Sequence, residues 1–178
     1  MLFLKHRYKM RNIVLRKLSS LAVLVAVSLG FASCGLLDDE SMPYKELEIP
    51  NIVPGMIDAE SPEGQEYLAN YDDVCTIINS MDDARRYFSE EELASCPEIS
   101  KVDYKRNSVV IYTVYVGGST YGYIIDEWKH DKDEDVYMLK LRFNIYSGVP
   151  GYRYLLQAAF RTDKIDDDAK IAVEWGLS

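Results

Sequence analysis

Tyr137-Met138-Leu139-Lys140-Leu141-Arg142-Phe143-Asn144-Ile145 is the stretch that decides the fold. Tyr137, Leu139, Leu141, Phe143 and Ile145 fall on one face of an extended chain, and Met138, Lys140, Arg142 and Asn144 on the other. Period two with one apolar face predicts a strand that is buried on one side and wet on the other. Upstream, residues 108–116 are apolar without alternation, as a strand covered on both faces requires. Gly117-Gly118-Ser119 is expected to turn the chain as a hairpin into a return strand over residues 121–128, followed by the charged loop 129–135. Downstream, Ser147-Gly148-Val149-Pro150-Gly151 makes another turn, after which Tyr152, Tyr154, Leu156, Ala158 and Phe160 resume the alternation. Residues 170–175 supply a last strand, and the β-branched run Val74-Cys75-Thr76-Ile77-Ile78 an early one.

Helical spacing appears where Met81, Ala84, Tyr87 and Phe88 follow Ser80, with Asp83 three residues after the Ser as in a capping box. Ser89 and Glu92 repeat that signal, and Pro97 stops the helix. The expected class is α+β: one helix packed on an antiparallel, meander-like sheet of about five or six strands.

The chain before this domain divides by composition. Residues 1–33 carry six bases (Lys5, Arg7, Lys9, Arg11, Arg16 and Lys17) and no acid, then an apolar core densest over residues 21–29. That core falls short of the roughly 20 residues of a spanning helix, and the layout is that of a removed secretory signal. Phe31-Ala32-Ser33-Cys34 resembles the lipobox of bacterial lipoproteins, with Phe31 standing where Leu is usual. The resemblance implies that Cys34 becomes an acylated, palmitate-bearing N-terminus that anchors the chain to the membrane. Met10 offers a second start with a shorter leader. Residues 34–45 form an acidic tether, in which Asp38-Asp39-Glu40 reads either as a surface-export signal or as a solvated linker. Residues 46–73 hold Pro50, Pro54 and Pro62 and read as an extended arm, with an edge strand near residues 46–49 and a short helix from Ser61-Pro62-Glu63. Residues 74–178 are the folded domain. The expected address is therefore the cell envelope at the outer membrane, with the surface face following if Asp38-Asp39-Glu40 is read as an export signal.

Beyond the leader, 14 bases stand against 29 acids, a formal charge of −15. Such a body repels nucleic-acid phosphates and anionic lipid headgroups, which excludes binding to either by charge.

No reaction is legible. His130 is the one His beyond the leader, and in the charged loop it reads as a solvated residue without a triad around it. Residues 131–135 open like a calcium loop, but Val136 stands where Gly is needed and Arg142 where Glu is needed. Irregular calcium binding there or at Asp166-Asp167-Asp168 competes with ordinary acidic turns. Gly117-Gly118-Ser119-Thr120 lacks the Gly-Lys of a phosphate loop. No catalytic residue, metal site or cofactor is assigned.

Cys75 and Cys96 are a candidate disulfide pair, since a strand from Val74 and a helix running back bring them level and export permits oxidation. Two buried free thiols are the alternative. Of 14 tyrosines, nine lie between Tyr104 and Tyr154. Tyr115, Tyr121, Tyr123, Tyr146, Tyr152 and Tyr154 flank the glycine turns and form a candidate binding surface for peptide or glycan, against the alternative of cross-strand packing.

Several short pieces run in a familiar order: Ile77-Ile78-Asn79-Ser80 into the helix, Cys96-Pro97-Glu98-Ile99, Val102-Asp103-Tyr104-Lys105, Asn107-Ser108-Val109-Val110, Gly122-Tyr123-Ile124-Ile125 and Gln157-Ala158-Ala159-Phe160. Over residues 74–175 this resembles the C-terminal domain of PrcB-type lipoproteins, accessory subunits of a bacterial surface protease complex, and related protease-inhibitor-like lipoproteins. The resemblance implies a non-enzymatic module that binds a protein partner, a protease among the possibilities, and carries over no functional residue. A small glycan- or peptide-binding surface lipoprotein is the alternative.

Overall fold

Alternation along one strand becomes a layer when its neighbours are placed. The computed structural model describes residues 40–178, and every side chain among them except those of Glu40, Thr120 and Tyr121. The strands are β1 (Glu40–Ser41), β2 (Tyr44–Glu46), β3 (Met56–Asp58), β4 (Val74–Ile78), β5 (Asn107–Val116), β6 (Gly118–Asp131), β7 (Val136–Ser147), β8 (Tyr152–Asp163) and β9 (Ile171–Leu177). The helices are α1 (Pro62–Ala69), α2 (Met81–Ala84), α3 (Glu90–Ser95) and α4 (Pro97–Ser100). The class is α+β, with short helices on a largely antiparallel sheet of about five strands. That sheet runs β2-β8-β5-β4, with β3 also on β8. A second sheet, β1-β6-β7-β9, packs across it and closes with a parallel β7–β9 pair.

Three layers result. Val110, Tyr112 and Val114 of β5 and Leu156, Ala158 and Phe160 of β8 face Ile125, Trp128, Leu139, Leu141 and Phe143 of the second sheet. On the other face, Val109, Ile111 and Ala159 meet Ile78, Ala84, Phe88, Leu93, Cys96 and Ile99. This double burial is why β5 is apolar on both faces. The helical layer is built from short pieces because each start is capped locally. Ser80 Oγ accepts from Asp83 N–H, while Ser89 and Glu92 form a complete capping box. Pro97 then begins α4, after Cys96.

The Gly117-Gly118 turn differs from the expected hairpin. β5 pairs with β4 and β8, whereas β6 pairs with β7, so Gly117 carries the chain from one sheet to the other. The true hairpin is β6–β7, around the charged loop. There the Asp131 carboxylate accepts from Asp133 N–H (3.0 Å) and Glu134 N–H (3.1 Å), and Asp135 takes φ 51°.

The end of the tether is also more ordered than expected. Glu40 and Ser41 pair with His130 and Lys129, and Tyr44–Glu46 pairs along β8, so residues 40–46 close two sheet edges. Cys34 and the leader lie outside the described residues.

Candidate cleft at an interrupted sheet edge

β2 and β3 lie on the same edge of β8, but the edge between them is broken. Leu47 N–H donates to Ala159 C=O at 2.9 Å, and Leu155 N–H donates to Gly55 C=O at 2.9 Å. Between these contacts β8 has three residues and the arm has seven, so the arm bows outward. Pro50 and Pro54 lie in the bow, and neither has an N–H to give a ladder. Gln157 braces it: its Oε1 accepts from Ile52 N–H (3.0 Å), and its Nε2 donates to Pro50 C=O (3.1 Å).

In an antiparallel ladder, alternate residues turn their N–H and C=O toward opposite neighbours. Leu155 and Ala159 turn theirs toward the arm, and so does Gln157. Among the described residues, none of β2, β3 or the bow pairs with the Gln157 backbone. A cleft of about 740 Å³ opens at this rung. Its walls are the bow (Leu47, Glu48, Ile49, Pro50 and Asn51), the β8 edge (Leu155, Gln157 and Ala159), the helical layer (Ser95, Cys96 and Glu98) and Ser119, Gly122, Tyr123 and Tyr154.

Tyr123 reaches the cleft because β6 is irregular. Its register against β7 shifts between Thr120 and Gly122 and again between Ile125 and Glu127, and Gly122 takes φ 156°. The Tyr123 ring lies 6.3 Å from that of Phe143. Its hydroxyl donates to Ala159 C=O at 2.6 Å and accepts from Ala159 N–H at 3.2 Å. Burial lifts the hydroxyl's pKa, so it remains a protonated donor.

The other candidate tyrosines divide. Tyr115 donates to Pro54 C=O and packs edge-on against Tyr67 and Tyr71 at 5.9 and 4.8 Å, which fastens the arm. The Tyr154 hydroxyl accepts from Val149 N–H at 3.0 Å and its ring lies against Gly148. Tyr152 pairs with Asp58 across β8 and β3. Tyr146 is 55% exposed. The Tyr121 side chain lies outside the described residues. The two glycine turns do meet, since a Cβ on Gly148 would lie 2.6 Å from Gly117 C=O. Of the six tyrosines, Tyr123 and Tyr154 line the cleft, while Tyr115 ties down the arm beside it.

Cys75 and Cys96 are free thiols, which corrects the proposed disulfide. Period two decides the matter. Cys75 and Ile77 turn toward the second sheet, whereas Ile78 and Cys96 belong to the core on the opposite face. Cys96 Sγ lies 3.9 Å from Glu48 C=O and 3.8 Å from Glu98 Oε2, and burial lifts its pKa.

His130 is likewise no loop residue. β6 extends through it, so the imidazole stacks on Tyr137 at 4.3 Å, with Nε2 3.1 Å from Asp135 Oδ1. Among the described residues, no three His, Cys, Asp or Glu side chains converge as metal ligands.

The cleft residues Gln157, Glu48 and Glu98 had no signature of their own in the sequence. The signal available was Pro50 and Pro54, which bracket a length of arm unable to pair continuously with a neighbouring strand. A scan of protein-family models finds no match to the chain, and neither do searches of curated proteins and of solved structures.

Proposed function

We propose that this is a lipid-anchored envelope protein, held through Cys34, whose acidic domain is a non-enzymatic module that binds a protein partner in the cleft beside β8. The observation that carries this reading is the Gln157 backbone, whose N–H and C=O face a 740 Å³ opening at a broken sheet edge. Leu155 and Ala159 have their rungs occupied by Gly55 and Leu47, so the opening is one rung wide. It suits the tip of a loop or a short extended segment, one residue of which exchanges backbone hydrogen bonds with Gln157. The tyrosine hydroxyls of residues 115, 123 and 154 are committed to the protein's own backbone, which favours this reading over a ring-lined glycan site. The leader and Cys34 support the envelope address, and the resemblance to PrcB-type lipoproteins makes a surface protease complex the first partner to test.

The test places a photocrosslinking residue at Asn51, on the bow, in the full chain expressed in its own membranes. The same residue at Lys140, on the outer face of β7, serves as the control. A protein crosslinked reproducibly from position 51 but not from 140 supports the reading, and identical products from both positions overturn the cleft as the docking site. Metabolic labelling with an alkyne-bearing palmitate, abolished in Cys34→Ala, tests the anchor.

A further inference from the structure

We infer that the segment docking at Gln157 is basic and presents a Lys or Arg to the cleft; this inference rests on the docking reading above. The walls hold two exposed carboxylates, Glu48 on the bow and Glu98 on α4, and no Lys, Arg or His. These acids stand on two adjoining walls that meet at Cys96, whose sulfur lies 3.8 Å from the Glu98 carboxylate and 3.9 Å from the backbone carbonyl of Glu48. Carboxylates and carbonyls together match a group with several N–H donors and a positive charge, which among side chains means an ammonium or a guanidinium. An acidic segment would meet repulsion from Glu48, Glu98 and a body of formal charge −15. The complementarity is therefore specific as well as attractive: a backbone rung sets where the segment lies, and the acids select its side chain.

Glu48 and Glu98 have exposed side chains that can be made neutral without opening a core. The test is selection of a displayed library of random ten-residue peptides on the folded chain beyond Cys34. Selection on the Glu48→Gln/Glu98→Gln double variant and on the Lys140→Gln control runs in parallel. Circular dichroism of each protein confirms that it is folded. The expected pool is enriched in Lys or Arg at one position. The best peptide binds the double variant at least tenfold more weakly and the control unchanged, and loses affinity between 0.05 and 0.5 M salt. N-methylation of one backbone amide next to the basic residue abolishes its binding, as pairing with Gln157 requires. Enriched peptides that need this amide but show no basic preference would overturn the inference and leave the docking reading standing. Enrichment of no peptide, or of peptides indifferent to N-methylation, would overturn both.

Discussion

The Tyr123 hydroxyl satisfies both backbone groups of Ala159, donating to its C=O at 2.6 Å and accepting from its N–H at 3.2 Å. A side chain of one sheet thus shares the Ala159 rung with the arm, whose Leu47 N–H donates to the same C=O at 2.9 Å. Tyr123→Phe keeps the ring against Phe143 and leaves the Ala159 N–H facing the cleft. A loss of about 1–3 kcal/mol is expected, read as a lower urea midpoint with an unchanged m-value. A loss below about 0.5 kcal/mol would mean that water entering the cleft replaces the hydroxyl.

Asn79 holds the end of β4 to the β8–β9 connection. Its Nδ2 donates to Ile165 C=O (3.0 Å) and Asp167 Oδ1 (2.5 Å), while its Oδ1 accepts from Ser108 Oγ (2.5 Å) and Lys164 Nζ (2.7 Å). Ser108 is fully buried, so deleting its partner is expensive. Asn79→Ala should destabilise the fold by about 2–3 kcal/mol in urea unfolding. Amide exchange should quicken first at Ile165 and its neighbours, where the connection loses its tether. Uniform quickening throughout the chain would show that Asn79 guards global stability and not this connection.

What was legible in the sequence follows strand parity. β7 could be read residue by residue because its alternation is unbroken, and the apolar run of β5 announced two covered faces. β6 could not be read that way. Its shift between Ile125 and Glu127 puts Ile125 and Trp128 on the same inner face, although they are three residues apart. The pairing of β5 with β8 instead of β6 was hidden for another reason: a glycine pair permits a tight turn without saying whether the strands on either side share a sheet. The same holds for the cleft, since the prolines show where the arm cannot pair but not which strand it leaves open. The cysteines pose the same difficulty: their level along the strand is legible, but the face each thiol takes depends on how β4 sits between the two cores.

Gly148 marks the join between the two sheets. A Cβ there would lie 2.5 Å from the Tyr154 ring and 2.6 Å from the Gly117 C=O, one of them backbone. The neighbours cannot both withdraw without moving the Gly117 crossing. Gly148→Ala should therefore destabilise the fold by about 1–3 kcal/mol, and it should weaken any ligand at the cleft, because Tyr154 is a wall residue. Gly176→Ala, where a Cβ meets nothing within 4 Å, is the matched control and should change stability by less than about 0.5 kcal/mol.

Alkaline pH should unfold the protein through groups held protonated inside it. Burial pushes the Cys75 thiol, turned toward the intersheet core, from 9.0 up to about 12. Burial likewise lifts the hydroxyls of Tyr71 and Tyr104 from 10.0 to about 12. The unfolded chain begins to release these protons near pH 9, while the folded chain keeps them until about pH 12. In that window the unfolded state binds fewer protons, so unfolding free energy falls as pH rises. The contribution is complete below pH 9 and is lost on the way to 12. Urea titrations at pH 8, 9, 10 and 11 should show the midpoint dropping progressively above pH 9. Cys75→Ala should flatten that decline by at most about 1.4 kcal/mol per pH unit. The wild-type thiols, being free and covered, should react slowly with a thiol reagent in the native state and fully after unfolding without reductant. Failure of two thiols beyond Cys34 to titrate in the unfolded, unreduced protein would restore the disulfide and remove Cys75 from the alkaline transition.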